Sequence, residues 1–169
     1  MLTIKLHFIR LSEVSLANIY DQIGVYVLWS GKAKAVPSYI GEGNVLQRFY
    51  DHTKKSWAAR PIDGVIALIE PSTRQKPFAE LAEAALLHVA EMSNRYPKHN
   101  GNNGKPAAAL KKSLRYQAAN IGTIRLVISG WDPLRAPSNP PMRTKKWIVL
   151  RWFAEGWDID EFHWNNRAC

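Results

Sequence analysis

Two short stretches decide how this chain is interpreted: GVYVLW at residues 24–29 and PSYIGEGNVLQRFYDH at residues 37–52. The first is rich in β-branched and aromatic residues, which is typical of a strand. The second begins with a short extended segment, SYIGE, and continues as a predicted helix over residues 44–57 with Asn44 as its cap. We therefore expect two adjacent strands, each carrying a tyrosine and a glycine, followed directly by a helix.

Three further elements are predicted around this pair. Ser12 precedes EVSLANIYDQI, whose apolar spacing indicates a short helix at residues 13–23. DGVIALIEP at residues 63–71 is a continuous apolar run, typical of a buried strand. Pro77 then starts an alanine-rich and leucine-rich segment at residues 78–96, which predicts the strongest helix of the chain. The expected order is αββαβα with mixed strand directions.

The last third of the chain is basic and rich in tryptophan. TIRLVIS at residues 123–129 fits a strand, and RAPSNPPMRTK at residues 135–145 is a proline-rich linker. KWIVLRWFAEGWDIDEFHW at residues 146–164 predicts an amphipathic helix followed by a turn. We expect this part to pack on the preceding domain or to contact a partner.

Composition limits the class of protein. The chain has 169 residues, of which 46% are hydrophobic and 22% charged, as expected for one globular domain with a tail. No apolar run approaches the roughly 18 residues of a bilayer span, and charge interrupts the N-terminal segment early, so we expect a cytoplasmic protein without a membrane partner. The single cysteine, Cys169, leaves neither a disulfide framework nor a cysteine metal site.

The charge is concentrated in one region. The chain carries 23 Lys and Arg against 14 Asp and Glu, a net charge of +9. Between Lys98 and Lys146 there are ten basic residues and one acid, Asp132. Such a local excess is typical of nucleic-acid partners, because cations displace the counterions of phosphates. Many soluble proteins are basic without a specific partner, so charge alone leaves both interpretations open.

The order and spacing of several residues resemble the GIY-YIG nuclease family. The pattern consists of Gly24-Val25-Tyr26, Tyr39-Ile40-Gly41, Arg48, His52, Glu83 within LAEAALL, and an asparagine in KHNGNNGK. Each motif is short, but together they are specific, and the resemblance covers roughly residues 20–105. It implies an α/β (α+β) fold with a small mixed three-stranded central sheet flanked by helices. The catalytic domain would be residues 1–105, and residues 106–169 would be a basic, Trp-rich C-terminal extension.

The resemblance also implies an activity: metal-dependent hydrolysis of DNA phosphodiester bonds by water attack, with Mg²⁺ or Mn²⁺. Tyr26 and Tyr39 would activate the water and orient it or the phosphate, and the sequence does not decide which does what. Arg48 offers a planar fork of donors for the scissile phosphate. His52 could serve as proton donor, base or phosphate contact. Glu83 would be the single protein ligand of the metal.

Two of these assignments, the metal ligand and the catalytic asparagine, have alternatives. Glu80, one helical turn before Glu83, is the fallback metal ligand. The catalytic asparagine is assigned to Asn100, with Asn102 and Asn103 competing for the role. The complete catalytic set implied by the resemblance is therefore Tyr26, Tyr39, Arg48, His52, Glu83 and Asn100.

The chain departs from the family pattern at Glu42, where many members carry lysine or another polar residue. The interval from Tyr39 to Arg48 is also one residue shorter than in repair-type members. Both departures favour a compact or restriction-like member over the excision-repair branch.

The expected partner is DNA, and the sequence does not decide whether it is single-stranded or double-stranded. The oligomeric state is also undecided. The predicted nucleic-acid contacts are Arg48, Lys105, Lys111, Lys112 and Arg115, with Trp131 and Trp147 available for stacking. Packing within the domain is the competing role for the tryptophans. Two other functions compete with the nuclease: a non-catalytic nucleic-acid-binding module on the same scaffold, and an interaction subunit that docks through the tryptophan-rich end.

Overall fold

The structure is a computed structural model, and it describes residues 1–30, 36–55, 62–101, 106–113 and 121–164. Within these ranges, seven strands form one mixed sheet that curls into a half-barrel. The strands are β1 (Leu2–Arg10), β2 (Ile23–Ser30), β3 (Tyr39–Asn44), β4 (Ile62–Leu68), β5 (Thr123–Gly130), β6 (Lys146–Phe153) and β7 (Gly156–His163). The α-helices are α1 (Val45–Thr53), α2 (Gln75–Met92) and α3 (Pro106–Lys112). None of these helices combines the length and apolar character needed to cross a membrane.

The order of strands across the sheet is β3-β2-β4-β1-β5-β6-β7. All neighbouring pairs are antiparallel except β1 and β5, which run parallel from Leu2 opposite Ile124 to Phe8 opposite Gly130. The pairing of β1 with β4 is restricted to Ile9 and Arg10. Strand β1 therefore joins the antiparallel group β2–β4 to the C-terminal group β5–β7.

The predicted fold, a small mixed three-stranded sheet flanked by helices, is wrong. The strands predicted at residues 24–30, 38–42 and 63–71 are present as β2, β3 and β4, but four more strands continue the same sheet. Of these four, β5 confirms the strand predicted at residues 123–129. No strand was predicted over β1, in which Ile4, Leu6 and Phe8 are buried and the residues between them are exposed. This alternation has the period of two that a strand requires.

The amphipathic helix predicted at residues 146–164 is also wrong, because this segment forms the hairpin β6–β7. Ile148 and Leu150 are buried while Trp147 and Val149 are only partly so, again a period of two. The helix expected at residues 13–23 is likewise reduced to two short 3₁₀ turns at Leu11–Glu13 and Leu16–Ile19. In both cases apolar spacing over few residues fits a helix and a strand or turn alike.

The sheet separates two apolar cores. On one face, α2 and α3 cover the large core, which includes Val25, Val27 and Ile40. On the other face, a smaller core beside α1 is made of Ile19, Tyr26, Leu28, Val45 and Ile66, with Tyr39 packed against it. Because side chains alternate along a strand, the two tyrosines share the α1 face.

A buried ion pair ties the start of β6 to the turn that follows β5. Lys146 Nζ donates to Asp132 Oδ2 at 2.6 Å, and the two side chains are 8% and 7% exposed. The ammonium also lies 4.6 Å from the centre of the Trp164 ring. Burial lowers the pKa of Lys146, and the Asp132 carboxylate opposes that shift. The charges compensate each other in a site with little access to water.

Replacing Asp132 by asparagine should lower the free energy of unfolding by about 3–5 kcal/mol, because the Lys146 ammonium would stay buried without its counter-charge. The matched control is Asp160→Asn, which removes a partner of the exposed Arg151 and should cost about 1 kcal/mol or less. Urea unfolding of the two variants measures both values. Equal small losses would show that the buried pair is not needed for stability.

Candidate active site

Three aromatic side chains meet on the α1 face of the sheet. Tyr26 lies in the middle of β2 and is 3% exposed, and Tyr39 begins β3. Their rings stack with centroids 6.1 Å apart and planes 22° apart. His52, in the last turn of α1, places its ring 4.3 Å from Tyr39 and its Nε2 2.9 Å from the Tyr26 hydroxyl. Two strands and one helix thus build a single cluster of two hydroxyls and an imidazole.

Gly41 provides the space that this cluster occupies. It pairs directly with Tyr26 across the two strands. A Cβ at this position would lie 2.5 Å from the Tyr26 hydroxyl oxygen and 2.6 Å from Cε1 of Tyr39. The second glycine of the motif is therefore a steric requirement of the tyrosine pair.

Arg48 lies on the exposed side of α1, above the end of β3. Its contact there is Gly43, which has a φ of +122° and so a backbone conformation that favours glycine. A Cβ on Gly43 would lie 3.4 Å from Arg48 Nε and 3.8 Å from Lys76 Nζ. Two cations from different helices therefore approach the same point of the edge strand.

Lys76 also explains the departure at Glu42. Its ammonium, on the first turn of α2, donates to both carboxylate oxygens of Glu42, and it lies 3.9 Å from Glu80. Lys76 was not predicted from the sequence, because no motif or spacing marks it. A lone lysine before a proline has no signal that would have revealed its partner.

Glu83 lies on α2, and its charge contributes to the raised pKa values of both Tyr26 and Tyr39. It is partly buried, and burial raises the pKa of its carboxyl to about 7, with a further rise from Glu42 and opposing effects from Lys76 and Arg48. Its fallback, Glu80, has a side chain that is 52% exposed. Of the two carboxylates, Glu83 is the one held in the low-dielectric environment of the site.

The pKa values of the ring cluster show that its members share one electrostatic environment. Burial raises the pKa of Tyr26, and the neighbouring Tyr39 adds to the rise. Burial also raises the pKa of Tyr39, followed by the charge of Glu83. Burial lowers the pKa of His52, and Arg48 lowers it further. At neutral pH both phenols are protonated and the imidazole is neutral.

Asn100 binds the backbone of β3 at Ile40, the residue after Tyr39. Its Oδ1 accepts from the Ile40 N–H at 2.9 Å and its Nδ2 donates to the Ile40 carbonyl at 2.7 Å. The His99 N–H also donates to the Ser38 carbonyl at 2.9 Å. Asn100 thus pairs the open edge of β3 at the residue after Tyr39, which fits positioning of that tyrosine. Asn102 and Asn103 lie outside the described residues.

A pocket of about 610 Å³ opens beside the tyrosine pair. Its lining residues are Tyr39, Arg48, Asp51, His52, Lys54, Lys55 and His99. Three of them are cationic, and Asp51 is the single carboxylate in this set. The pocket suits an anionic ligand, which would lie against Tyr39 and His52 and within reach of Arg48.

The other predicted nucleic-acid contacts that the structure describes do not line the pocket. Lys111 and Lys112 belong to α3, which packs against β7 at the opposite end of the sheet from β3. Lys111 pairs there with Glu155 at 3.3 Å. Lys105 and Arg115 are outside the described ranges. Of the predicted contacts that the structure describes, only Arg48 is brought to the tyrosine cluster.

The residues present suit a hard divalent cation. The described part of the chain holds no group of three or more His, Cys, Asp or Glu side chains that could bind a metal. Mg²⁺ does not need such a group, since it commonly uses one or two carboxylates together with waters and substrate phosphate. The raised pKa of Glu83 means that a nearby cation would stabilise its ionised form. Glu83 is therefore chemically suited to be that carboxylate.

Comparison with known proteins identifies no relative of this chain. No protein-family model matches the chain, and no significant match is found among curated proteins or solved structures. The function is therefore inferred from the side chains and distances described above.

The raised pKa of Glu83 predicts a pH-dependent stability of the metal-free protein. Its ordinary value is 4.5 and its value in the fold is about 7, so folding favours the protonated acid. The stabilisation is complete below about pH 4.5 and is lost as the pH rises through about 7. The shift corresponds to on the order of 3 kcal/mol.

Urea unfolding in EDTA at about pH 5 and about pH 8 tests this. Glu83→Gln, which cannot ionise, should gain about 2–3 kcal/mol relative to the native chain between these two pH values. Glu80→Gln is the control on the same helix, and it should show no comparable gain. Identical pH profiles for the native chain and Glu83→Gln would contradict the prediction.

Replacing Asn100 by alanine should leave the Ile40 N–H and carbonyl without their partner. We expect faster hydrogen exchange at the Ile40 amide and a loss of about 1–3 kcal/mol in the free energy of unfolding. Asn139→Ala, which removes a side-chain bond to the Ala136 carbonyl far from the site, serves as control. Unchanged exchange at Ile40 would rule out the positioning role.

Proposed function

We propose that the chain is a GIY-YIG-type endonuclease that hydrolyses DNA phosphodiester bonds with the help of Mg²⁺ or Mn²⁺. The observation that supports it best is that Tyr39, His52 and Arg48 line one pocket, while the buried Tyr26 hydroxyl lies 2.9 Å from His52 Nε2 and its ring stacks on Tyr39. Phosphodiester hydrolysis needs a proton acceptor for water and cations for the phosphoryl oxygens. The proposal includes a cytoplasmic location.

Tyr26 and His52 form a path for the proton of the attacking water. Because burial raises the pKa of Tyr26, this phenol is not ionised at neutral pH, so it can accept a proton only while it gives up its own. The neutral His52 ring lies 2.9 Å away and can take that proton at Nε2. The water oxygen then bonds to phosphorus, one phosphorus–oxygen bond breaks, and the leaving oxygen is protonated from solvent.

Arg48 and Tyr39 hold the phosphate. The guanidinium has several N–H donors in one plane, which match two phosphoryl oxygens, and it stays charged at any physiological pH. Tyr39 lines the pocket and stacks on Tyr26, so its hydroxyl can orient the phosphate or the water. The steric space left by Gly41 keeps this arrangement in place.

Glu83 would hold the metal ion, with waters and substrate oxygens completing the coordination. When bound, Mg²⁺ or Mn²⁺ supplies positive charge that stabilises the leaving oxygen. Glu80 is too exposed to share this low-dielectric environment.

A plasmid-nicking assay tests the activity. The native chain should relax supercoiled DNA in Mg²⁺ or Mn²⁺ and fail to do so in EDTA. Tyr26→Phe and Glu83→Gln should each lower the rate by about 10²-fold or more, because each removes a group that acts on the reacting atoms. The controls are Tyr50→Phe and Glu80→Gln, which remove the same chemical groups from exposed positions and should keep the native rate.

The outcome of the assay distinguishes the nuclease from the two alternative functions and tests the metal ligand separately. Salt-sensitive DNA binding without nicking in either metal would favour the non-catalytic binding module. Absence of both nicking and binding would favour an interaction subunit. A native rate in Glu83→Gln would overturn the assignment of the metal ligand while leaving the nuclease activity in place.

A further inference from the structure

We infer that Lys54 and Lys55 form a phosphate-binding subsite that holds the DNA backbone beside the scissile phosphate. This inference deepens the proposed function and rests on it. The subsite lies in the pocket of about 610 Å³ that Tyr39, His52 and His99 also line. It differs from the basic region between residues 98 and 146, to which composition alone pointed.

The positions along α1 determine which phosphate the two lysines can reach. Arg48, His52 and Lys55 follow one another at intervals of about one helical turn, and the Lys55 N–H still donates to the His52 carbonyl at 2.9 Å. Arg48 and Lys55 are therefore separated by about 10 Å along the helix axis. Along the axis of B-DNA this distance is the rise of about three nucleotides of one strand. The lysines would bind a phosphate within about three nucleotides of the one that Arg48 holds.

The pocket is suited in charge and accessibility to a polyanion. Lys54 and Lys55 are both exposed, so their ammonium groups are accessible to phosphates without desolvation of a buried charge. Asp51, the acid of the lining set, accepts from Gln47 Nε2 at 3.2 Å on the same helix. The net charge of the lining is positive.

The other wall of this pocket is anchored to the catalytic strand. The Lys98 and His99 N–H groups donate to the Pro37 and Ser38 carbonyls at 3.2 and 2.9 Å. Asn100 then pairs with Ile40 through its side chain. A strand of DNA in the pocket would thus lie between α1 and a segment that is hydrogen-bonded to the backbone on both sides of Tyr39.

The alternative cations do not line this pocket. Lys111 and Lys112 lie on α3, which packs beside β7 at the opposite end of the strand order from β3. Lys111 is paired there with Glu155. Replacing Lys111 and Lys112 removes the same charge as replacing Lys54 and Lys55, so these two lysines provide the control.

Fluorescence anisotropy with a labelled DNA duplex in EDTA tests the subsite without cleavage. The Lys54→Ala/Lys55→Ala variant should bind about tenfold more weakly at low salt, and its slope of log affinity against log salt should fall by about 1.8, or about 0.9 for each lost contact. The Lys111→Ala/Lys112→Ala variant should stay within about twofold of the native chain. Lys54→Arg/Lys55→Arg should restore binding, because it retains the charges.

Equal weakening in the two alanine variants would overturn the subsite, since only net charge would then matter. So would native affinity in Lys54→Ala/Lys55→Ala when the native chain nicks DNA, a result that leaves the proposed nuclease function standing. Conversely, selective weakening at Lys54 and Lys55 in a chain that never nicks DNA would support the subsite and reject the catalytic function. Circular dichroism confirms that each variant is folded.

Discussion

The pairing of Tyr26 with Gly41 across β2 and β3 is the constraint on which the candidate site depends. Glycine leaves the space in which the two tyrosine rings stack, and a methyl group there would overlap both of them. With the rings in place, His52 can reach the Tyr26 hydroxyl from α1. A shift of β3 by one residue against β2 would turn Tyr39 to the opposite face of the sheet from Tyr26 and break the cluster.

The edge position of β3 determines which charged side chains can reach the site. An edge strand can be approached from both faces, so Arg48 comes from α1 and Lys76 from α2 to the same glycine, Gly43. Glu83 arrives on the α2 side, and its carboxyl is shifted toward neutrality mainly by burial. Asn100 covers the backbone groups that an edge leaves open. The site thus combines rigid support with access from solvent.

Local patterns predicted part of this arrangement. Strands β2, β3 and β4 and helices α1 and α2 have strong signals within a few residues, such as the Asn44 cap that accepts from the Gln47 N–H at 3.0 Å. The size of the sheet was not predicted, because β1 and β5 are distant in the chain and pair in parallel. The sequence predicts a helix for the hairpin β6–β7, because apolar spacing over few residues fits a helix and a strand alike.

By itself the sequence determined the order of the tyrosine, arginine, histidine and glutamate positions and the local elements that present them, since these depend on neighbouring residues. Only the tertiary structure decided which charges meet. In the tertiary structure Glu42 pairs with Lys76, Asn100 binds the backbone of Ile40, and Lys111 pairs with Glu155 beside β7 rather than lining the pocket at the tyrosines. The physical reason is that a charge acts over a few ångströms in space, and distances of that kind between remote residues are set by strand pairing and helix packing.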